Sequence, residues 1–471
     1  MRFSAASTAD RFLPGPIAAR ALPLLRKLDA VIFTADDRAE AGRTSLAAFA
    51  IRVISAVIAL VSQILMARWM GSFEYGIFVL VWTAMIIVGT LSCLGFHTSI
   101  VRYIPQYRQT KDLAKLRGVM TTSRAFVLVI SSLLTLIGLA GLWEFAGELD
   151  PHYIIPFYLG VICLPMIALS NALEGTARAN SWAMLSLGPI YLLRPVLILL
   201  FMTMAIYADF PATAETALAA AVIATFATTL FQIATIHPPT SREVRHVRSG
   251  YSMREWVVVS LPIFLIEGIF FLLTNADVLM VGWFLTPHEV GVYFATVKTL
   301  ALVHFVYYAV KAGVAQRYAQ YAHGNDHARL AAFARETASW TFWPSLLLAA
   351  AVLAAGKPLL SLFGPGFSEG YPLLMVLVAG VIARSAVGPA ESLLTMSGKQ
   401  NICAVVYAAA LTINICLNLI LIPMLGLWGA ALSTSIAMAC EAAMLAFTVW
   451  RTLGIVMVVK VGGGRIAGEV R

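Results

Sequence analysis

Twelve stretches of roughly 20 apolar residues punctuate this chain, and no other feature constrains its fold as strongly. They run at about 46–67, 77–96, 119–142, 153–173, 185–207 and 213–236, then 257–283, 290–313, 337–362, 371–395, 401–422 and 427–450. About 20 apolar residues, as a helix, cross the ~30 Å hydrocarbon layer of a bilayer. Inside lipid each backbone amide must be satisfied within the protein, so such spans are expected to be helices. Of the 471 residues, 60% are apolar and 12% charged, against about 45–50% and about 25% in soluble domains. Water would not tolerate the surface that such a chain exposes. The expected fold class is all-α, integral to a membrane, with about twelve transmembrane helices.

Orientation follows from the basic residues, because cytoplasmic segments retain Lys and Arg. With the N-terminus inside, 25 of the 33 Lys and Arg residues fall on the cytoplasmic side. Only Arg68 and Lys357 fall outside, and six lie within spans. The segment after span 2 carries Arg102, Arg108, Lys111, Lys115 and Arg117, and the segment after span 6 carries Arg242, Arg245, Arg248 and Arg254. The segment after span 3 is acidic, with Glu144, Glu148 and Asp150. Both ends are therefore expected inside. The net charge of +9 is accounted for by this orientation and by anionic lipid, so nucleic acid is not a partner. Residues 1–45 form an N-terminal tail without a signal-peptide core. Within it, 17–33 mixes apolar and basic positions, as an interfacial helix or a disordered tail would.

The chain repeats itself. The end of span 1, ILMARWMGSFEYGIF at 64–78, aligns with VLMVGWFLTPHEVGVY at 278–293 after one inserted residue. Beyond that turn an offset of 215 pairs Gly76 with Gly291, Arg102 with Arg317 and Tyr103 with Tyr318. A fainter match sets Arg178-Ala179-Asn180 against Lys399-Gln400-Asn401. Gly76 and Gly291 are expected to serve the turn or close packing rather than a substrate. Six spans per repeat give two lobes of the same orientation, an architecture of transporters that bind between the repeats near the midplane. The expected divisions are a tail at 1–45, an N-lobe at 46–236, a linker at 237–256, a C-lobe at 257–450 and a tail at 451–471.

RWMGSFEYGIFVLV and LGFHTSIVRYIPQY resemble the first half of the Wzx-type polysaccharide flippases of the multidrug/oligosaccharidyl-lipid/polysaccharide exporter superfamily. NADVLMVGWFLTPHEVGVYFATVKTL, with an Asp ending span 7 before a turn, a Gly and an aromatic, is similar to the start of that family's second half. The resemblance covers about residues 46–452. It implies two MATE-like six-helix lobes that alternate access to a central cavity. It implies as cargo a lipid-linked oligosaccharide on undecaprenyl diphosphate, flipped across the bacterial inner membrane for surface polysaccharide such as O-antigen or exopolysaccharide. Polysaccharide polymerase and export machinery are the implied protein partners.

Ionisable residues inside spans cost at least about 2.5–3.5 kcal/mol on insertion scales and so face a cavity or a partner. Arg194 in span 5, just before Pro195, Lys298 in span 8 and Arg384 in span 10 lie near mid-depth. With Arg52 in span 1 they are the candidate cations for a diphosphate, which arginine pairs bidentately. The competing reading is pairing with acids, or, for Arg52 and Lys311, reaching to the cytoplasmic surface. Glu267, Asp277 and Glu391 are the candidate sites for a coupling proton or Na+, and Glu441 lies in span 12. Arg384 and Glu391, seven residues apart, would share one face of a continuous helix. His304 is expected to be neutral and hydrogen-bonded. The five cysteines, Cys93, Cys163, Cys403, Cys416 and Cys440, lack metal-ligand spacing and are expected to pack as small apolar residues. No metal, cofactor or catalytic constellation is expected, hence no enzyme. A cationic-drug exporter of the same superfamily is the alternative. A polysaccharide polymerase or ligase would need a large external loop, and a passive structural protein would leave the mid-depth charges unexplained.

Overall fold

A computed structural model describes residues 37–457 and 459, residue 325 excepted, with side chains described at Ile51, from Val53 onward and not at His323. The proposed interfacial segment 17–33, the remainder of the first 36 residues and residues 460–471 lie outside the described part.

The described residues form twelve helical passes, α1–α12. The first helical run, Asp37–Leu91, is broken at Gly71, whose backbone lies at φ 75°, ψ 172°. A single helix of 55 residues would be about 80 Å long, far more than one bilayer crossing. Gly71 reaches the left-handed φ without a Cβ penalty and reverses the chain, giving α1 (37–70) and α2 (from 72). The pass α2 is itself interrupted at residues 92–95 and resumes as Phe96–Gln109. Then come α3 (Leu113–Glu144), α4 (Pro151–Ile162 and Leu164–Ala179, bent by 40°), α5 (183–207) and α6 (Ala214–Val244). The second six are α7 (Met253–Phe284), α8 (Pro287–His323), α9 (His327–Ala354), α10 (Tyr371–Ser385 and Ala390–Met396), α11 (Gln400–Leu425) and α12 (Leu427–Leu453). Ten helices, or eleven with the bent α4 pair, pass a length-and-apolarity test for spanning. The first of these is the α1–α2 run, which Gly71 makes two passes.

Several helices outrun their apolar cores. α2 continues to Gln109, and α3 starts at Leu113 with the Asp112 carboxylate accepting from the Lys115 amide as an N-cap. Most of the basic segment between the second and third spans is thus helical. The expected linker 237–256 is a correction of the same kind: α6 carries on through Pro238 and Pro239 to Val244, and α7 begins at Met253. Only about eight residues connect them. α1 already begins by Asp37, inside the expected tail. α9 starts ten residues before its apolar core, and a short helix, Gly356–Ser361, occupies the turn after it.

Helices α1–α6 pack among themselves, as do α7–α12, and the two bundles meet chiefly where α7 and α8 lie against α1 and α2. The turns after α2, α4, α6, α8 and α10 carry the basic residues and define a basic face; those after α1, α3, α5, α7, α9 and α11 define the opposite face. On the opposite face the first turns of α2 and α8 touch. A methyl group on Gly76 would sit 1.7 Å from the Pro287 carbonyl oxygen, and one on Gly291 would sit 2.4 Å from the Ser72 carbonyl oxygen. Around this contact Tyr75 meets Phe294 and Phe367 edge-on, with centroids 6.1 and 5.8 Å away, and Ser72 Oγ lies 2.6 Å from His288 Nδ1. Side chains of both lobes bury together there, Tyr75, Val81, Val281 and Tyr293 completely. On the basic face the seam runs along α2 and α7. Ser99 Oγ is 2.7 Å from Ser260 Oγ, and Trp256 Nε1 donates to the Tyr107 hydroxyl at 2.9 Å.

Candidate functional site

Between the lobes at mid-depth lies a cavity of about 650 Å³. Helical spacing builds its walls. Val53, Val57, Leu60 and Gln63 share a face of α1, while Phe294, Lys298, Ala301 and Phe305 share one of α8. Trp82 and Thr83 of α2 and Asn275 of α7 complete the polar part of the lining. Lys298 lies eleven residues into α8, about 16 Å along the helix. Its ammonium is 4.6 Å from the Phe294 ring centroid, a cation–π contact. Among the described lining residues it is the one charged side chain.

Lys298 also borders a second cavity of about 280 Å³ inside the C-lobe, together with Asp277, His304, Arg384, Asn414 and Glu441. Arg384 Nη2 lies 3.0 Å from Glu441 Oε1, and its guanidinium stacks 4.9 Å over the Tyr307 ring. Both partners are nearly sealed from solvent. Asp277 Oδ2 accepts from the Tyr293 hydroxyl at 2.9 Å, and its Oδ1 accepts from the Val278 amide. Tyr293 Oη is 3.2 Å from Thr434 Oγ1, which ties α7, α8 and α12 together.

A third cavity, about 610 Å³, opens toward the basic face between α2, α7, α8, α10 and α11. A histidine–carboxylate contact and an ion pair line it. His97 Nε2 is 3.3 Å from Glu267 Oε2, joining α2 to α7. Lys311 pairs with Glu391, joining α8 to α10. Lys311 therefore has a buried partner instead of reaching for the surface. The expected face shared by Arg384 and Glu391 does not form, because α10 breaks between Ser385 and Ala390.

The four candidate cations do not converge on one cavity. Arg194 belongs to the N-lobe interior and lines none of the three cavities. It follows a π-helical turn, Pro189–Leu193, the local opening expected next to Pro195. Its Nη2 donates to Ser170 Oγ at 2.9 Å, and Ser170 Oγ donates to Gln232 Oε1 at 2.6 Å. Arg384 is neutralised by Glu441. Lys298 alone faces the space between the lobes, and the Arg52 side chain lies outside the described residues. His97 was not singled out from the sequence, because it falls one residue past the expected span at 77–96. Gln63, Thr83 and Asn275 carry no signal, since neutral polar side chains are common within spans. The histidine expected to be hydrogen-bonded, His304, borders the C-lobe cavity close to Arg384. Cys93, Cys163 and Cys403 are buried as expected of packing residues, whereas Cys416 is exposed and Cys440 is partly so.

A family model described as polysaccharide biosynthesis protein matches residues 42–315, more than half of the chain, and a MatE model matches residues 262–420. No curated protein matches in sequence. Among solved structures, an inward-facing multidrug resistance MATE family transporter of the MOP superfamily aligns with a TM-score of 0.71 at 13% identity, over 87% of this chain and 98% of that one. The lipid II flippase MurJ in an inward closed conformation aligns at 0.66 and 13%, over 86% and 87%. A MOP superfamily transporter from Pyrococcus furiosus, described as having a binding pocket of reverse polarity, aligns at 0.57 and 14%, over 87% and 94%. At such identities the likeness establishes the fold, that of MATE and MurJ transporters.

Proposed function

The chain belongs to the polysaccharide biosynthesis protein family, and we propose that it is a flippase that turns a lipid-linked oligosaccharide repeat unit across a bacterial inner membrane. The cargo in this reading hangs from undecaprenyl diphosphate and feeds surface or secreted polysaccharide. The carrying observation is the charge of the mid-depth cavity: Lys298 is the one charged group among its described lining residues, set in apolar walls. An ammonium in a partly dry cavity suits a diphosphate, and the apolar faces of α1 and α8 suit a prenyl chain. Arg384 in the adjoining C-lobe cavity would be a second cation if Glu441 released it. Arg194, buried in the other lobe, fits a positioning role instead. Alternating access would open the seam at Gly76 and Gly291 and close the cavity that opens toward the basic face, which the basic-residue bias assigns to the cytoplasm, with both termini there. Glu267, Glu391 and Asp277 remain the candidates for a coupling proton or Na+.

A second reading, a cation or drug exporter, draws on Asp277, which is held by hydroxyl and amide donors rather than by a salt bridge. It explains the carboxylate-free lining of the mid-depth cavity less well. Deleting the gene distinguishes the two. Loss of polysaccharide with lipid-linked units retained on the cytoplasmic face supports the flippase. Normal polysaccharide with hypersensitivity to cationic drugs supports the exporter.

A further inference from the structure

A cationic recess lies apart from all three cavities, where α3 and α6 meet at the basic face. Its volume is about 160 Å³. Helical spacing places Arg117, Thr121 and Arg124 on one face of α3, and His237, Ser241 and Arg245 on or just past the facing side of α6. Seven residues separate Arg117 from Arg124, so the positive stripe descends about 10 Å along α3. Arg117 precedes the apolar span expected at 119–142 and Arg124 falls inside it.

The charge in the recess is uncompensated. Among the described residues, no carboxylate forms an ion pair with Arg117, Arg124 or Arg245. The neighbouring acid on α6, Glu243, is already held by Arg108 through two hydrogen bonds of 2.8 and 2.6 Å. Arg117 spends Nη1 on the Val247 carbonyl at 2.6 Å, which fixes the rim. Deeper down, Arg124 Nη1 lies 2.7 Å from His237 Nδ1. Arginine has no acceptor, so Nδ1 of His237 must accept, which puts the ring proton on Nε2 as a further donor. Among the described residues, Nε and Nη2 of Arg124 are buried and find no acceptor. A buried donor left unmatched is costly, and an anion reached by a small turn of the guanidinium would satisfy it.

We propose that this recess binds a phosphate-bearing anion, supplied either by the headgroup of an anionic phospholipid or by a free phosphate. Three arginines and a histidine donor, without a carboxylate, form a phosphate-binding set. Basic pockets between helices at a membrane surface hold lipid headgroups by the same chemistry. The helices above the recess offer room for acyl chains. Val129 and Leu133 on α3, and Leu230 and Phe231 on α6, are exposed apolar side chains one to three turns further in. The site is independent of the transport reading, since it lines none of the cavities between or within the lobes.

The test uses the full-length protein purified in neutral detergent. Thermal unfolding and native mass spectrometry would follow added phosphatidylglycerol, phosphatidylcholine and sodium phosphate separately. Phosphatidylglycerol should raise Tm and remain bound where phosphatidylcholine does not. In Arg124→Gln the concentration needed should rise about tenfold or more, the loss of one charge-assisted contact. If sodium phosphate alone stabilises the protein and displaces phosphatidylglycerol, the source is free phosphate. Thr121→Trp keeps every charge and fills the recess, so it should lose binding while the protein still elutes as folded. Equal phosphatidylglycerol binding by the wild type and either variant would overturn the proposal, as would no response to either phosphate source.

Discussion

Gly76 and Gly291, equivalent positions of the two repeats, pack against one another across the lobe interface. A Cβ on Gly76 would come within 3.0 Å of the Gly291 amide nitrogen, and one on Gly291 within 3.3 Å of the Gly76 nitrogen. The atoms in the way are backbone, so no rotamer change relieves the clash. The repeat seen in the sequence is thus a physical contact, and it closes the opposite face.

Gly76→Ala should therefore push α2 and α8 apart and disfavour the closed seam, at an overpacking cost of about 1–3 kcal/mol or more. A cysteine placed at Ser72 would report it. Labelling by a membrane-impermeant maleimide should be several-fold faster in the Gly76→Ala background than with Gly76 retained. Equal labelling rates would mean that this seam does not separate the cavity from the opposite face.

The pair Arg384 and Glu441 makes a different kind of prediction. Its charges are 3.0 Å apart and both side chains are buried. Removing one partner strands the other, at a cost of about 3–5 kcal/mol. Arg384→Ala or Glu441→Ala should then sharply lower the amount of folded protein recovered from membranes. The double variant Arg384→Met with Glu441→Leu should recover most of it, because an apolar pair of similar volume restores packing without charge. Fluorescence-detected size exclusion with a thermal ramp measures both effects. A double variant no more stable than either single variant would show that the two residues do not depend on each other.

The helices and the two-lobe arrangement were legible because lipid demands long apolar spans and the basic residues gather in every second connecting segment, on one face. The breaks were not. Gly71, the interruption at residues 92–95 and the gap after Ser385 lie within or beside apolar runs, where hydropathy is blind to backbone direction. The candidate site was legible only in part. Position along a helix can be counted, and Lys298, Arg194 and Arg384 each lie well inside their helical passes. Which face each presents to a neighbour is set by packing between helices distant in sequence. For that reason Arg384 turned out to face Glu441, Lys311 to face Glu391, and Arg194 to lie inside the N-lobe.

Orientation can be checked directly. Reporter fusions after Asp150 and after Ala212 should report an external location, while fusions after Arg245 and after Gly468 should report the cytoplasm. Asp150 and Ala212 lie in the turns after α3 and α5, and Arg245 directly follows α6. The motive is the bias of 25 of 33 Lys and Arg residues to one side. An external signal from the fusion after Arg245 would invert the assignment of the two faces and the direction of transport proposed here.

Lys298 carries the transport reading, and it differs from Arg384 in having no carboxylate in salt-bridge contact among the described residues. Its ammonium lies over the Phe294 ring at 4.6 Å, which contributes about 0.5–2 kcal/mol, and the Asp277 carboxylate across the C-lobe cavity acts on it electrostatically without a salt-bridge contact. Lys298→Met keeps the length and packing of the side chain and removes only the charge, so folded protein should stay near the wild-type level. If the ammonium holds a diphosphate, its loss removes a charge-assisted contact of about 1.5–3 kcal/mol. Transport per folded protein should then fall about tenfold or more, since about 1.4 kcal/mol is a factor of ten. Lys298→Arg retains the charge and should keep more activity than Lys298→Met. A cationic cargo predicts the reverse order, because removing a positive charge from the cavity would then help. The measurement is flipping of a fluorescent undecaprenyl-diphosphate oligosaccharide in proteoliposomes, normalised to folded protein. Wild-type normalised activity in Lys298→Met would show that the cation in the mid-depth cavity does not bind the cargo.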